Sequence, residues 1–232
     1  QDKLLGYDLF LYNRDRGKIW GVSDEYFSCP RIDDLQCAYS AITGLINTAD
    51  IETEAVRAAV IFDNEEVGSG TKQGARSTFL RDTLTRINEE LGGGRSDYIS
   101  ALASGFMLSA DNAHAVHPNN PDKADPNNRP YMNDGVVIKY NANQRYVTDS
   151  VSEAIFKEIC ERRGIKYQIY SNRSDIPGGS TLGNLSNEQV ALNSVDIGLA
   201  QLAMHSAYET AGSRDLDYMI SAVEAFYSTE LK

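Results

Sequence analysis

Val60-Ile61-Phe62-Asp63-Asn64-Glu65-Glu66-Val67-Gly68-Ser69-Gly70 is the stretch on which the reading of this chain turns. The apolar run Ala58–Phe62 delivers three carboxylates within four positions and then breaks at two glycines. In an extended strand, neighbours such as Glu65 and Glu66 point to opposite faces. Both can serve one site only if the backbone turns there, and Gly68 and Gly70 allow it. Two adjacent acids at the end of a buried strand can divide metal binding from proton transfer. Taken alone, the stretch is equally a solvated turn leading to a helix after Gly74, since glycine and acidic residues are common turn formers.

Outward from this point the periodicity alternates between strand and helix. Glu54 to Phe62 is rich in Val, Ile and Ala, as a strand buried on both faces would be. Ala75 to Leu91 reads as a helix with Phe79, Leu80, Leu84, Ile87 and Leu91 inward, ended by Gly92-Gly93-Gly94. Upstream, Leu4 to Tyr12 alternates as a strand, and Ile19 to Val22 is a second extended piece leading to Ser28-Cys29-Pro30-Arg31-Ile32-Asp33-Asp34. From Asp34 the spacing turns helical, with Leu35, Ala38, Tyr39, Ile42, Leu45 and Ile46 on one face. Asp33 and Asp34 thus fall at a helix start, where an N-cap and a first-turn acid are common.

Downstream, a short helix over Ser96–Ala103 precedes a strand over Gly105–Leu108 that runs into Ser109-Ala110-Asp111-Asn112-Ala113-His114-Ala115-Val116-His117-Pro118-Asn119. Pro118 to Pro130 is loop. Gly135–Tyr140 is a strand, Ser150–Arg163 a helix with Val151, Ala154, Ile155 and Ile159 inward, and Tyr167–Tyr170 a strand. The glycine-rich segment Ser171–Asn184 frames the site as a loop. A strand over Val190–Ile197 ends near Met204-His205-Ser206, and a helix over Arg214–Tyr227 closes the chain. Strands alternating with helices predict one α/β layered domain over residues 1–232 with a mixed, largely parallel sheet.

Composition sets the limits. The 232 residues fit one large α/β domain, and no apolar run approaches the roughly 18 residues of a membrane span. With 22 basic and 33 acidic residues the net charge is −11, which argues against nucleic acid as a partner. Cys29, Cys37 and Cys160 are an odd number without CxxC spacing, as expected of a reduced, cytoplasmic setting. The chain opens at Gln1, not Met, and runs straight into a strand-like pattern, the expectation for part of something longer.

Position, more than residue count, points to chemistry. Asp33, Glu65-Glu66, Asp111 and His205 each follow an apparent strand, and in open α/β sheets such ends gather along one edge where ligands bind. All three histidines, His114, His117 and His205, lie in these edge segments. If the acids converge, each close pair costs a few kcal/mol at a protein-like dielectric, so they take up protons or hold cations. Two divalent ions relieve that repulsion, and carboxylate with imidazole suits zinc, manganese or cobalt. Such a centre activates water and polarises a carbonyl, and a carboxylate outside the coordination sphere can act as general base. His114 and His117 are not an HExxH pair, Gly178–Gly183 lacks the lysine of a P-loop, and there is no Gly-x-Ser-x-Gly elbow.

The blocks Ser28–Asp34, Asp63–Ser69, Ser109–Asn119, Lys139–Tyr146 and Met204–Ser206 resemble, in order and over essentially the whole chain, the M18 metallo-aminopeptidases. The resemblance implies a cytosolic, homo-oligomeric exopeptidase acting on peptides, with an α/β/α catalytic domain and two divalent metal ions. By that analogy Asp33 bridges the metals, Glu66, Asp111 and His205 are further ligands, and Glu65 is the base that activates water. His114, Lys139 and Tyr146 take the substrate-contacting positions. Two departures stand out: the family usually has Asn where Asp34 stands, and its members carry another metal-binding His and a dimerisation domain upstream. These departures keep open a non-catalytic subunit or scaffold on the same fold. A related di-metal deacylase or carboxypeptidase is a third reading, against which the Asp111–Asn119 block counts.

Overall fold

The structure, a computed structural model, describes residues 3–231. Strand β1 (Lys18–Trp20) pairs with β2 (Tyr26–Cys29), and helix α1 (Ile32–Asn47) follows at once. A single helical turn α2 (Glu65–Gly68) precedes α3 (Phe79–Glu90) and α4 (Arg95–Ser104), and then come β3 (Phe106–Ala110) and β4 (Ala113–His114). The second half holds β5 (Val136–Tyr140), α5 (Ser150–Arg163), β6 (Tyr167–Ser171), α6 (Leu182–Asn187), β7 (Asn193–Gly198), β8 (Ala200–Leu202), β9 (Glu209–Gly212) and α7 (Asp215–Tyr227).

The central sheet has the order β3-β7-β5-β6, with β3/β7 and β5/β6 parallel and β5/β7 antiparallel. Its inner strands are buried on both faces: Val136, Ile138, Val195 and Ile197 face the main core, while the other side carries Val137 together with buried Lys139, Ser194 and Asp196. Phe156 and Ile159 of α5 and Met219, Ala222 and Val223 of α7 cover that sheet and close the core. Helix α5 begins where the Asp149 carboxylate accepts from the Val151 and Ser152 amides, and stops at Gly164, whose φ of 65° is left-handed. A second sheet, β1-β2-β9-β8-β4, is mostly antiparallel and lies at the end of the first. Its β4/β8 pair continues from β3 and β7, so the two sheets share their connections along the edge that carries the acids. The expected α/β architecture with a mixed sheet is therefore present, with this second sheet as an addition the periodicity did not indicate.

Several local expectations are overturned. Leu4–Tyr12 and Glu54–Phe62 form no strand, because among the described residues neither finds a neighbour to complete a ladder. The first is almost wholly exposed, with Leu5 at 92% and Leu11 at 105%. The second is held by other means: the Arg57 guanidinium donates to the carbonyls of Thr48 and Ile51, and the Tyr227 hydroxyl donates to the Ala58 carbonyl. In α1 the apolar stripe Leu35, Tyr39, Ile42 and Ile46 points outward, while Gln36, Cys37, Ser40 and Gly44 are buried. Small residues win that face because α1 lies tightly on α7; a Cβ on Gly44 would stand 2.5 Å from Val223 Cγ1. Phe79 and Leu91 of the α3 region and Val151 of α5 are likewise exposed, not inward. No helix among the described residues is long and apolar enough to cross a membrane.

Candidate metal centre

Three separate segments bring acids, and a fourth a histidine, to one place. Asp33 follows β2 and sits in the first turn of α1 with non-helical angles (φ −84°, ψ 111°), as does Asp34 (φ −120°, ψ 38°), and the peptide between them is cis. Both acids lie in the first turn of α1 as expected, but Arg31 occupies the N-cap position and no side chain caps the helix. Glu65 and Glu66 open the α2 turn, which lets both carboxylates face the same region without a strand before them. Asp111 follows β3, where its amide donates to the Ile197 carbonyl at 3.0 Å. The close approach there demands glycine, since a Cβ on Gly198 would lie 1.9 Å from the Asp111 carbonyl oxygen. His205 follows β8 in the left-handed region, φ 65°.

These residues assemble into two donor groups that share one member. Asp33, Glu66 and His205 offer ligand atoms within 4.8 Å of one another, and so do Asp33, Asp34 and Asp111. His205 Nε2 stands 3.1 Å from Asp33 Oδ2 and 3.1 Å from Glu66 Oε2. Arg31, Ser206 and Glu209 complete the walls of an open cleft beside the first group.

The electrostatics are those of a site short of positive charge. Burial, reinforced by the Asp111 charge, pushes the Asp33 carboxyl up to about 8 and the Asp34 carboxyl well above its ordinary range. The same two causes raise Glu65 to about 7. Asp33 Oδ1 and Asp34 Oδ1 are buried without a hydrogen-bond partner. Native interiors seldom leave such oxygens unpaired, and a cation satisfies both the lone pairs and the charge. Imidazole nitrogen with carboxylate oxygen is a donor set that suits zinc. The residues present therefore fit divalent metal.

Of these acids, Asp111 is the one paired with a lysine or arginine among the described residues: Lys139 Nζ lies 3.1 Å from Asp111 Oδ2 and also donates to the Asn112 carbonyl at 2.9 Å. Lys139 is 2% exposed. Burial works to lower its pKa, but the Asp111 and Asp196 charges outweigh it and keep the ammonium charged.

Residues 1–227 match the family described as aminopeptidase I zinc metalloprotease, M18. The chain belongs to the M18 aminopeptidase family. It is 45% identical over 227 residues to a probable M18 family aminopeptidase 2 of Clostridium acetobutylicum, covering 98% of this chain and 52% of that protein. Among solved structures, Ape4 in its complex with Nbr1 superposes with a TM-score of 0.89 at 34% identity, over 94% of this chain and 42% of Ape4. The mApe1 dodecamer of S. cerevisiae superposes at 0.82 with 30% identity, over 93% of this chain and 49% of that one. The chain thus spans about half the length of the M18 relatives it matches.

Within this M18 domain the expected site residues divide by burial. Asp33, Glu65, Glu66, Asp111 and His205 converge. His114, in β4, is exposed; loss of water around its ring, then the His205 and Lys139 charges, hold its pKa below the usual imidazole value. Tyr146 is 6% exposed, its ring 5.4 Å beneath Lys139 Nζ. His117 stays in its own loop, where Nδ1 accepts from the Asn119 amide at 3.2 Å. Two residues of the centre escaped the sequence reading. Asp34 was visible only as a neighbour of Asp33, yet it joins the second donor group. Glu209 carried no local signal at all, and its partners are 176 and 4 residues away.

Proposed function

We infer that the protein to which this chain belongs is a two-metal aminopeptidase that hydrolyses the N-terminal peptide bond of peptides. The observation that carries the reading is Asp33, which belongs to both donor groups and has a buried oxygen with no partner. Asp33, Glu66, His205 and Asp111 would hold two divalent ions; zinc is the metal of the matched family, and cobalt and manganese tolerate the same donors.

When bound, the two ions polarise the scissile carbonyl and lower the pKa of water. The chain's own residues do the rest. Glu65 is the general base: it sits beside the donor groups but in neither, and a carboxyl raised to about 7 exchanges protons readily near neutral pH. The His114 imidazole, held neutral by its surroundings, presents a donor and an acceptor to the substrate at the rim. Lys139, buried on Asp111, and Tyr146 beneath it are the expected substrate-contacting positions, although both are buried and neither lines the cleft. Self-assembly belongs to the same reading and is supported by the dodecameric relative.

The test is Glu65→Gln. The variant retains its metal and loses hydrolysis of aminoacyl anilides by several orders of magnitude, and retention of most activity would remove Glu65 from the role of base. The reading of a non-catalytic scaffold has no comparable support, because a scaffold has no need to keep Asp33 and Asp34 oxygens buried and unpaired.

A further inference from the structure

Glu209 is 2% exposed and opens β9, directly opposite Cys29 in the β2/β9 ladder. Its two carboxylate oxygens take one backbone amide each. Oε2 accepts from Asp33 N–H at 2.9 Å, and Oε1 accepts from His205 N–H at 2.8 Å. Both amides belong to residues of the first donor group, although 172 positions separate Asp33 from His205 in the chain, as 205 − 33 gives. One side chain therefore fixes the separation and the aim of an imidazole and a carboxylate delivered by different loops.

The loops need such a tie. Arg31, Ala203 and His205 all adopt left-handed backbone, with φ of 61°, 59° and 65°, which residues other than glycine rarely adopt without outside support. No lysine or arginine forms an ion pair with Glu209 among the described residues, and the carboxylate lies close enough to Asp33 to oppose its ionisation. The two amides account for both carboxylate oxygens, but the charge beside Asp33 opposes the metal-free site. An anion there does favour a cation held between Asp33 and His205.

Resting on the two-metal reading above, we propose that Glu209 is a positioning residue for the metal centre: its carboxylate sets the Asp33 and His205 backbones at ligand distance and adds negative charge behind them. It touches neither metal nor substrate.

The test is Glu209→Gln, whose amide can accept at one oxygen only and is neutral. Zinc affinity is measured by competition with a chromophoric chelator, and the visible spectrum of the cobalt-substituted protein reports ligand geometry. Losing such an outer partner weakens metal binding 10- to 100-fold in known sites, about the loss expected here. The cobalt bands should shift, while the thermal midpoint of the metal-free protein stays unchanged or rises, because a buried anion beside Asp33 is gone. Glu209→Asp, which keeps the charge but withdraws it by one methylene, should also weaken zinc. Unaltered affinity in both variants, or a metal-free midpoint that falls together with the affinity, would overturn the proposal and leave Glu209 a structural tie. Asp33→Asn separates this from the parent reading: if it abolishes zinc binding while Glu209→Gln leaves the affinity unaltered, the metal centre stands and the Glu209 role falls. If the unaltered protein binds no zinc, both fall.

Discussion

Stripping the metal from this domain should make its stability depend on pH in a way the loaded protein does not share. The Asp33 carboxyl, ordinarily near 3.8, is raised to about 8 in the folded, metal-free chain by burial and by Asp111. The folded state then holds that proton more tightly than the unfolded chain does. The contribution of this group to the metal-free fold is accordingly fully present below about pH 4, and it is lost as pH rises towards about 8. At about 1.4 kcal/mol per pH unit the full span would amount to roughly 6 kcal/mol. Protons shared among the neighbouring carboxyls, and screening at the open cleft, reduce it to the order of 3 kcal/mol. For a domain of this size that corresponds to a fall in thermal midpoint of roughly 6 to 12 °C between pH 5 and pH 8. Zinc removes the effect because the ligands surrender their protons to bind it, so zinc affinity itself should rise with pH over the same range. The assay is a set of thermal melts at half-unit pH steps, with chelator or with excess zinc. Metal-free and zinc-loaded midpoints that run parallel from pH 5 to pH 8 would refute the reasoning.

Two substitutions probe the surroundings of the centre. Lys139→Met removes the ammonium that pairs with Asp111 at 3.1 Å and leaves buried negative charge without a partner; urea unfolding should show a loss of about 3–5 kcal/mol. Gly44→Ala forces a methyl to within 2.5 Å of Val223 where α1 crosses α7, and should cost about 1–3 kcal/mol in the same assay without changing zinc content.

What the sequence revealed, and what it concealed, follow from the range of the interactions. Asp111 was legible because the apolar run Phe106–Ala110 is a strand in its own right, and the acid directly follows it. The same holds for Val136–Tyr140 and for α5, whose Asp149 cap and Gly164 stop are local signals. Glu54–Phe62 has the composition of a buried strand, but a strand exists only where a neighbour supplies the other half of the ladder, and composition does not report neighbours. In α1 the most apolar face is not the buried one; the helix buries Gly44, Ser40 and Cys37, because close approach to α7 favours small side chains over large ones. Lys139 is expected, by resemblance, to contact substrate; its burial against Asp111 and the Asn112 carbonyl has no local signal in the sequence. Glu209 meets Asp33 from 176 residues away and Asp34 meets Asp111 across the fold, contacts that no spacing rule exposes.

The central claim is that anionic side chains from far-apart segments converge so that cations must sit among them, with Asp33 common to both groups. Its most direct test is the divalent metal bound per chain, measured by elemental analysis after dialysis of zinc-loaded protein, for the unaltered sequence and for Asp33→Asn. The account predicts close to two ions in the former and fewer than one in the latter, since a single substitution disables both donor groups. Equal metal content in the two proteins, or none in the unaltered one, would contradict it.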